Sequence, residues 1–524
     1  MMRPWLLRGW RLWAATVIWA ALGQASAPAA GPAPVNVLLL MTDQHHYQAL
    51  GSSGNPIVKT PHLDNLAAGG TRFSRMYCPV PYCSPTRASI VTGRYPSSLG
   101  LGRNIDQSDD PLRLRDPIET YLHRLAAAGY HCHQLGKWHL GDTAEMSCFP
   151  DAKQDLQRSG KLYNGRRRAA GDAVFDAGPR PGEILWGDAY LRPEIAAPHE
   201  QWHKTLGNGK QRGQDIGIIG RSRVRPQYQL EPALADYCIE LLKRHRDEPF
   251  AITYSVSPPH PANVAPAPYY DLYDPARLPL PATWADRPAA WANSASARLG
   301  RTFGEAGFRE YLRCYYAQVT MIDDCIGRIL AALDELGLAG HTLVIFTTDH
   351  GNLLGQHGMM DKSVATFYED LVHIPLLLRL PGKIPAGRTC DAVAASIDLA
   401  PTILDYAGAA PLAGAHGRSL RPFIQGVPGG DRCVFCEREK LDSPRPPSRM
   451  IRTDRWKLCV LGAGDLELYD LLHDPGETRN VAREPGQTAV IRDLARALRT
   501  HMVEVGDQGL AKLESRLAQL VAGQ

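Results

Sequence analysis

Residues Val35 to Met41 form an apolar run bounded by Pro34 and Asp43. A strand with apolar residues on both of its sides is buried on both faces, which is the situation of a strand inside a parallel sheet. Three more segments have the same character, and each runs into a polar cluster. Tyr130 to Leu135 precedes Gly136-Lys137, Phe250 to Ser257 precedes Pro258-Pro259-His260, and His341 to Thr347 precedes Thr348-Asp349-His350. Between them lie helical patterns. Ile118 to Ala128 has Tyr121, Leu122 and Leu125 at helical spacing and Gly129 as its stop; Tyr311 to Leu336 repeats the spacing over a longer span and Asp398 to Ala407 over a shorter one. This alternation predicts an α/β fold with a large, mostly parallel sheet sandwiched by helices. Ligands of such sheets gather beyond the carboxyl ends of the strands. The polar clusters that follow the strands are therefore where chemistry is expected.

The 524 residues are enough for one large domain and a smaller one. Residues 30–426 are assigned to the large domain, with an irregular, Gly-, Arg- and Pro-rich insertion from Cys148 to Tyr228; Ala262 to Ala290 is also irregular. After Gly426 the pattern changes. Short strands in Arg449 to Cys459 and Leu466 to Leu471 and a terminal helix from Gln487 to Val503 predict a small α+β domain over 427–524. The net charge of +4 is small for this length and excludes nucleic acid as an expected partner. Arg3, Arg8 and Arg11, the short apolar stretch Leu12 to Leu22 and the small residues Ala27-Pro28-Ala29 read as a signal peptide over residues 1–29. Export to the periplasm or the medium is expected. No other segment is long enough to span a membrane. Eleven cysteines are present, and export permits disulfides. Cys433-Val434-Phe435-Cys436 reads as a local disulfide or two free thiols.

Cys83-Ser84-Pro85-Thr86-Arg87 carries the most chemistry in the fewest residues. Ser84 is expected as N-cap and Pro85 as first residue of a helix running on to Val91. Cys83 then stands at the positive end of a helix, where backbone N–H groups meet anions. Arg87 adds a forked cation one turn on. Thr42-Asp43-Gln44 and Thr348-Asp349-His350-Gly351 close two strands. Their carboxylates, amide oxygen and imidazole can converge on one divalent cation. Oxygen donors favour calcium, and the histidine also admits manganese or zinc. Capping of the following turn by Asp43 and Asp349 is the alternative. In Gly136-Lys137-Trp138-His139-Leu140-Gly141, alternation places Lys137 and His139 on one side of an extended chain.

Cys83 to Arg87, extended by Thr92-Gly93-Arg94, resembles the Cys-x-Pro-x-Arg signature of the type I sulfatases of the alkaline phosphatase-like superfamily. The resemblance takes in Gly136 to Gly141, the Pro-His segment at His260, Lys362, and Leu468-Tyr469-Asp470-Leu471 with Asp474, Pro475, Glu477 and Asn480. It implies that a sulfatase-maturing enzyme converts Cys83 to formylglycine, an aldehyde (3-oxoalanine). It also implies a cation held by Asp43, Gln44, Asp349 and His350 with residue 83, and a catalytic set of Cys83, Arg87, Lys137, His139, His260 and Lys362. Gln44 and His350 stand where most sulfatases carry aspartate and asparagine. That departure recurs among relatives that cleave phosphonates and phosphate diesters.

In the scheme the family implies, a hydrated aldehyde attacks sulfur while Arg87, Lys137 and Lys362 neutralise the sulfate oxygens. His260, with Lys362, protonates the leaving alcohol, and His139 removes the proton whose loss expels sulfate. Sulfated carbohydrate is the expected substrate. A phosphodiester or phosphonate monoester hydrolase and a non-cleaving sulfated-glycan binder are the alternatives. His45 and His46 are expected at the pocket rim, and Asn104 within reach of substrate.

Overall fold

The first apolar run becomes the strand Asn36–Asp43, buried along its whole length. The structure is a computed structural model, and it describes residues 34–105, 109–206, 216–287, 294–363, 366–428, 430, 432–438, 447–462 and 464–523. The segment read as a signal peptide lies outside the described residues. Val37, Leu39 and Met41 enter one core, shared with Ile90 and Val91 of the helix Cys83–Thr92 and Leu399 and Ile403 of the helix Leu399–Ala407. Leu38 and Leu40 enter a second core. It is shared with Leu63 of Pro61–Ala68, Leu241 of Leu230–Arg244 and Ile326 of Ala295–Glu335. Each buried aliphatic side chain contributes about 1.5–3 kcal/mol. One strand thus feeds apolar surface to both faces of the sheet, as its composition requires.

The main sheet runs in the order Arg388–Cys390, Thr71–Tyr77, His373–Arg379, Thr342–Thr348, Asn36–Asp43, Phe250–Pro259, His131–Gly136, with Ala394–Ala395 also pairing to Thr71–Tyr77. All pairings are parallel except those of His373–Arg379, which is antiparallel to both neighbours. Thr42 lies opposite Thr348, and Gly136 opposite Ser255. The residues that follow, Asp43, Asp349 and Lys137, are therefore delivered to one edge of the sheet.

Several local expectations need correction. The helix Cys83–Thr92 begins at Cys83 itself, with Tyr82 in extended conformation as its N-cap. Ser84 Oγ instead accepts the N–H of Ile105 at 3.0 Å. Pro85 is tolerated because the first turn of a helix has no internal partner for its N–H. The long helix starts at Ala295, well before Tyr311, and continues past Gly304, whose φ of 60° breaks the regular pattern. Three glycines in that stretch (Gly300, Gly304 and Gly307) hid it from a propensity reading.

The described residues of the insertion, 148–206 and 216–228, carry regular structure. It holds the helices Ala152–Ala170 and Pro193–Leu206 and three strands (Ile184–Trp186, Ala189–Leu191, Ile219–Ser222) that join Asn263–Pro266 in a second small sheet. Its first helix is polar on most sides, so no apolar stripe announced it. Arg449 to Cys459 divides into two antiparallel strands, Ser448–Arg452 and Trp456–Val460. With Val434–Arg438 and Leu466–Asp470 they form a four-stranded antiparallel sheet. It packs on the helices Thr488–Glu504 and Leu510–Ala522. Among the described residues no disulfide links the eleven cysteines.

Candidate active site

Asp43 and Asp349 leave neighbouring parallel strands side by side, and the helix Cys83–Thr92 points its first turn at them. Cys83 Sγ lies 3.7 Å from Asp43 Oδ1, 3.3 Å from His350 Nε2 and 3.7 Å from Lys362 Nζ. The ligand atoms of Asp43, Cys83, Asp349 and His350 lie within 4.8 Å of one another, and all four residues are buried. Arg87, one turn into the helix, ties the assembly together. Its Nε donates to Asp349 Oδ2 at 2.8 Å, while one terminal nitrogen donates to Lys137 O at 2.7 Å and Ser255 Oγ at 2.9 Å. The other terminal nitrogen reaches Asp43 Oδ2 at 3.5 Å. With every Arg87 nitrogen engaged, the guanidinium aligns the two carboxylates. Lys137 Nζ also contacts Asp43 Oδ2.

Gln44 sits in the left-handed region, φ 65°. Tyr315 OH holds it there, donating to Gln44 O at 2.7 Å and accepting the His46 N–H at 2.8 Å. The Gln44 side-chain amide donates to Asp361 Oδ1. Its carbonyl oxygen, Oε1, is buried without a partner. Asp361 therefore fixes which end of the amide is available as an oxygen donor. Tyr315 and Asp361 were not foreseen, since one lies mid-helix and the other in a loop with no motif of its own.

Charge in this cavity is strongly perturbed. Burial would raise the Asp43 carboxyl, but Lys137, His260, Arg87 and Lys362 together hold it well below the usual range. Asp349 moves the other way, raised by burial and by the charge of Asp43 against the pull of Arg87. The charge on one of two adjacent carboxylates disfavours the charge on the other. Burial lowers His350, yet Asp349 and Cys83 outweigh it and bring the imidazole to about 9. Burial and Asp43 would hold up the Cys83 thiol, but Lys362, Lys137 and His350 take it well below its ordinary value. Lys362 rises despite burial, because Cys83 and Asp43 face it. Two buried carboxylates, an orphaned amide oxygen and an imidazole on one cavity fit a divalent cation. Calcium suits the oxygens, and His350 widens the choice.

His260 follows the strand Phe250–Pro259, and its Nδ1 lies 2.7 Å from Pro261 O. Burial and then Lys362 lower it, against the pull of Asp43. Lys137 and His139 are not on an extended segment. The strand ends at Gly136 (φ 77°), and His139 (φ 62°) is left-handed, so alternation does not govern their direction. His139 Nδ1 is buried and without a hydrogen-bond partner among the described residues, and Trp138 packs inward, edge-on to Phe149. His45 and His46 are not at a rim. Both are buried, His45 Nε2 against Ala49 O at 3.0 Å and His46 Nε2 against Asp370 Oδ1 at 2.8 Å. Asn104 Oδ1 accepts the Ser84 N–H at 3.1 Å, which commits that oxygen to the helix start.

The sequence profile of the sulfatase family matches residues 35–409. This chain belongs to that family. As a type I sulfatase of the alkaline phosphatase-like superfamily it is a sulfuric ester hydrolase. A second profile, described as N-sulphoglucosamine sulphohydrolase, C-terminal, matches residues 355–504 of this sulfatase. It is 27% identical to an ulvan-active sulfatase of Formosa agariphila, over 91% of this chain and 83% of the relative. It is 26% identical to an N-acetylglucosamine-6-O-sulfatase of Bacteroides thetaiotaomicron, over 85% of this chain and 82% of the relative. Among solved structures, the phosphonate monoester hydrolase of Agrobacterium radiobacter superposes with a TM-score of 0.71 at 25% identity, covering 91% of this chain and 97% of that one.

Proposed function

We propose that this sulfatase hydrolyses sulfate monoesters on carbohydrate after export, with residue 83 in its formylglycine form. The observation that carries the reading is the position of Cys83 Sγ between His350, Lys362 and Asp43, at the positive end of a helix. The atom stands where the oxygens of a hydrated aldehyde would stand. Formylglycine supplies a hydroxyl to attack sulfur and a second whose deprotonation releases sulfate, which a serine side chain does not. A divalent cation held by Asp43, Asp349, Gln44 Oε1 and His350 supplies Lewis acidity at the same point.

The residues around it divide the remaining work. Arg87 spends its donors on Asp43 and Asp349 and keeps both oriented. Lys362, and Lys137 beside Asp43, are the cations for sulfate oxygens whose charge changes during transfer. Their pKa values are raised, so both carry charge throughout the neutral range. His260 is held low by burial and Lys362 in this structure. An anionic substrate group beside it favours its protonated form, and that form gives the leaving alcohol its proton. His139 is the base for the release step, a role that rests on the family's Gly136 to Gly141 string. Carbohydrate as the substrate rests on the two relatives, both of which act on sugars by their names. Export rests on residues 1–29 alone.

Gln44 and His350, together with the likeness to a phosphonate monoester hydrolase, favour one second reading, in which phosphonate monoesters or phosphate diesters are the better substrates. Purified enzyme assayed side by side on a sulfated monosaccharide, an aryl phosphonate monoester and an aryl phosphate diester separates the two. Sulfatase as the principal activity requires the sulfate ester to have the highest kcat/KM. A higher value on either phosphorus ester overturns it.

A further inference from the structure

The strand His131–Gly136 starts at the end of the sheet remote from Cys83, with His131 and His133 two residues apart and so on one face. His245 caps the end of the helix Leu230–Arg244, and Glu248 lies in the turn that leads to Phe250–Pro259. One oxygen, Glu248 Oε2, sits 3.2 Å from His131 Nε2 and 3.1 Å from His245 Nδ1. A ligand atom from each of the three residues lies within 4.8 Å of the others. Donors that share a tetrahedral zinc at about 2.0–2.1 Å are about 3.3 Å apart.

A second observation lies behind His245. Its Nε2 is 3.1 Å from His133 Nε2, His133 Nδ1 is 2.8 Å from Asp155 Oδ2, and Asp155 Oδ1 accepts from Tyr237 OH at 2.6 Å. His133, Asp155, Tyr237 and His245 are all buried. A carboxylate-anchored chain on the far nitrogen of an imidazole is what orients a metal-bound histidine and fixes its tautomer. Here it turns His245 Nδ1 toward Glu248. The outer two residues are open to solvent, with side chains 40% (His131) and 55% (Glu248) exposed. The sulfatase reaction uses none of these groups.

We propose that His131, His245 and Glu248 form a zinc site at the amino-terminal edge of the main sheet, with its fourth position open to water. Two nitrogens and one oxygen select zinc over calcium, in contrast to the oxygen-rich cavity at the other end. The rings of His131 and His245 stack with centroids 4.3 Å apart. His131 therefore turns about its side-chain bonds to bring Nε2 onto the ion, and its exposure leaves room for that. With the His245 N–H on Nε2, toward His133, the Nδ1 lone pair faces Glu248 Oε2, and the ion takes the position between the two rings and that oxygen. It joins the start of one strand, the end of one helix and the turn between helix and strand.

The test titrates Zn2+ into full-length protein saturated with calcium, by calorimetry, alongside His131→Ala and Glu248→Gln. His245 is left intact because its ring belongs to the buried chain. The expected result is one zinc equivalent bound, a rise in Tm with zinc, and affinity at least about tenfold weaker in each variant. Sulfatase activity is unchanged in both variants. Absence of zinc binding in the calcium-saturated protein, or undiminished binding in both variants, overturns the proposal.

Discussion

Arg449 in the C-terminal sheet and Arg87 at the carboxyl edge of the main sheet are both buried arginines facing aspartate, yet they leave their surroundings in different states. Arg449 closes on one carboxylate, while its remaining terminal nitrogen donates to the backbone at Ser448 O (2.9 Å). Its Nε and a terminal nitrogen each lie 2.6 Å from the two oxygens of Asp507. Both carboxylate oxygens are consumed, as in a bidentate pair with a purely structural task. Arg87 instead takes one oxygen from each of two aspartates, Asp349 Oδ2 and Asp43 Oδ2. Asp349 Oδ1 accepts the N–H groups of Gln44 and His350 at 3.1 and 2.9 Å, while Asp43 Oδ1 lies 3.8 Å from His350 Nε2 and 3.7 Å from Cys83 Sγ. Burial of charge alone does not mark a site. What distinguishes this place is a cation shared by two aspartates, one of which, Asp43, keeps Oδ1 toward Cys83 Sγ.

Four substitutions sharpen or break that contrast. The largest effect is expected for Cys83→Ser, with steady turnover reduced by about 10³-fold or more and Tm changed by no more than about 2–4 °C. Turnover near the parent value would break the account of residue 83. Next comes Arg449→Met, which strands Asp507 in the core. Urea unfolding should show a loss of about 3–5 kcal/mol, while the folded fraction keeps its kcat. A selective loss of kcat with normal stability would erase the distinction between the two arginines.

Lys362→Ala should lower kcat about 10²-fold, with little change in the unfolding midpoint, since Lys362 Nζ lies 3.7 Å from Cys83 Sγ, the position proposed to react. The smallest effect is expected for Asp361→Asn. It gives the Gln44 amide a partner that can donate as well as accept, so Gln44 Oε1 is no longer reserved for the cation. Cation affinity, read by calorimetry on the apo-protein, should weaken about tenfold. Unchanged affinity would remove Gln44 from the ligand set.

The parts legible in the sequence are those where burial imposes composition. The strands Asn36–Asp43, His131–Gly136, Phe250–Pro259 and Thr342–Thr348 were anticipated within a few residues, because strands covered on both faces are apolar throughout. Asp43, Asp349 and Lys137 stand at or just past strand ends, as the strand pattern places them. Less was legible where backbone geometry or distant packing decides. The left-handed conformations of Gln44, His139 and Asp361 have no glycine to announce them. Tyr315 acts through a hydroxyl in the middle of a buried helix, and the polar helix Ala152–Ala170 has no apolar stripe. The helix Leu510–Ala522 was missed although Leu513, Leu517 and Leu520, at spacings of four and three, announced it.

All of this rests on residue 83 carrying a carbonyl rather than a thiol. The direct measurement is the mass of the peptide containing position 83, taken from enzyme of known specific activity made in a host with a sulfatase-maturing enzyme. The predicted result is the mass loss of thiol-to-aldehyde conversion, in a fraction of molecules that rises and falls with activity. A fully active preparation whose peptide retains the unmodified cysteine would contradict the account.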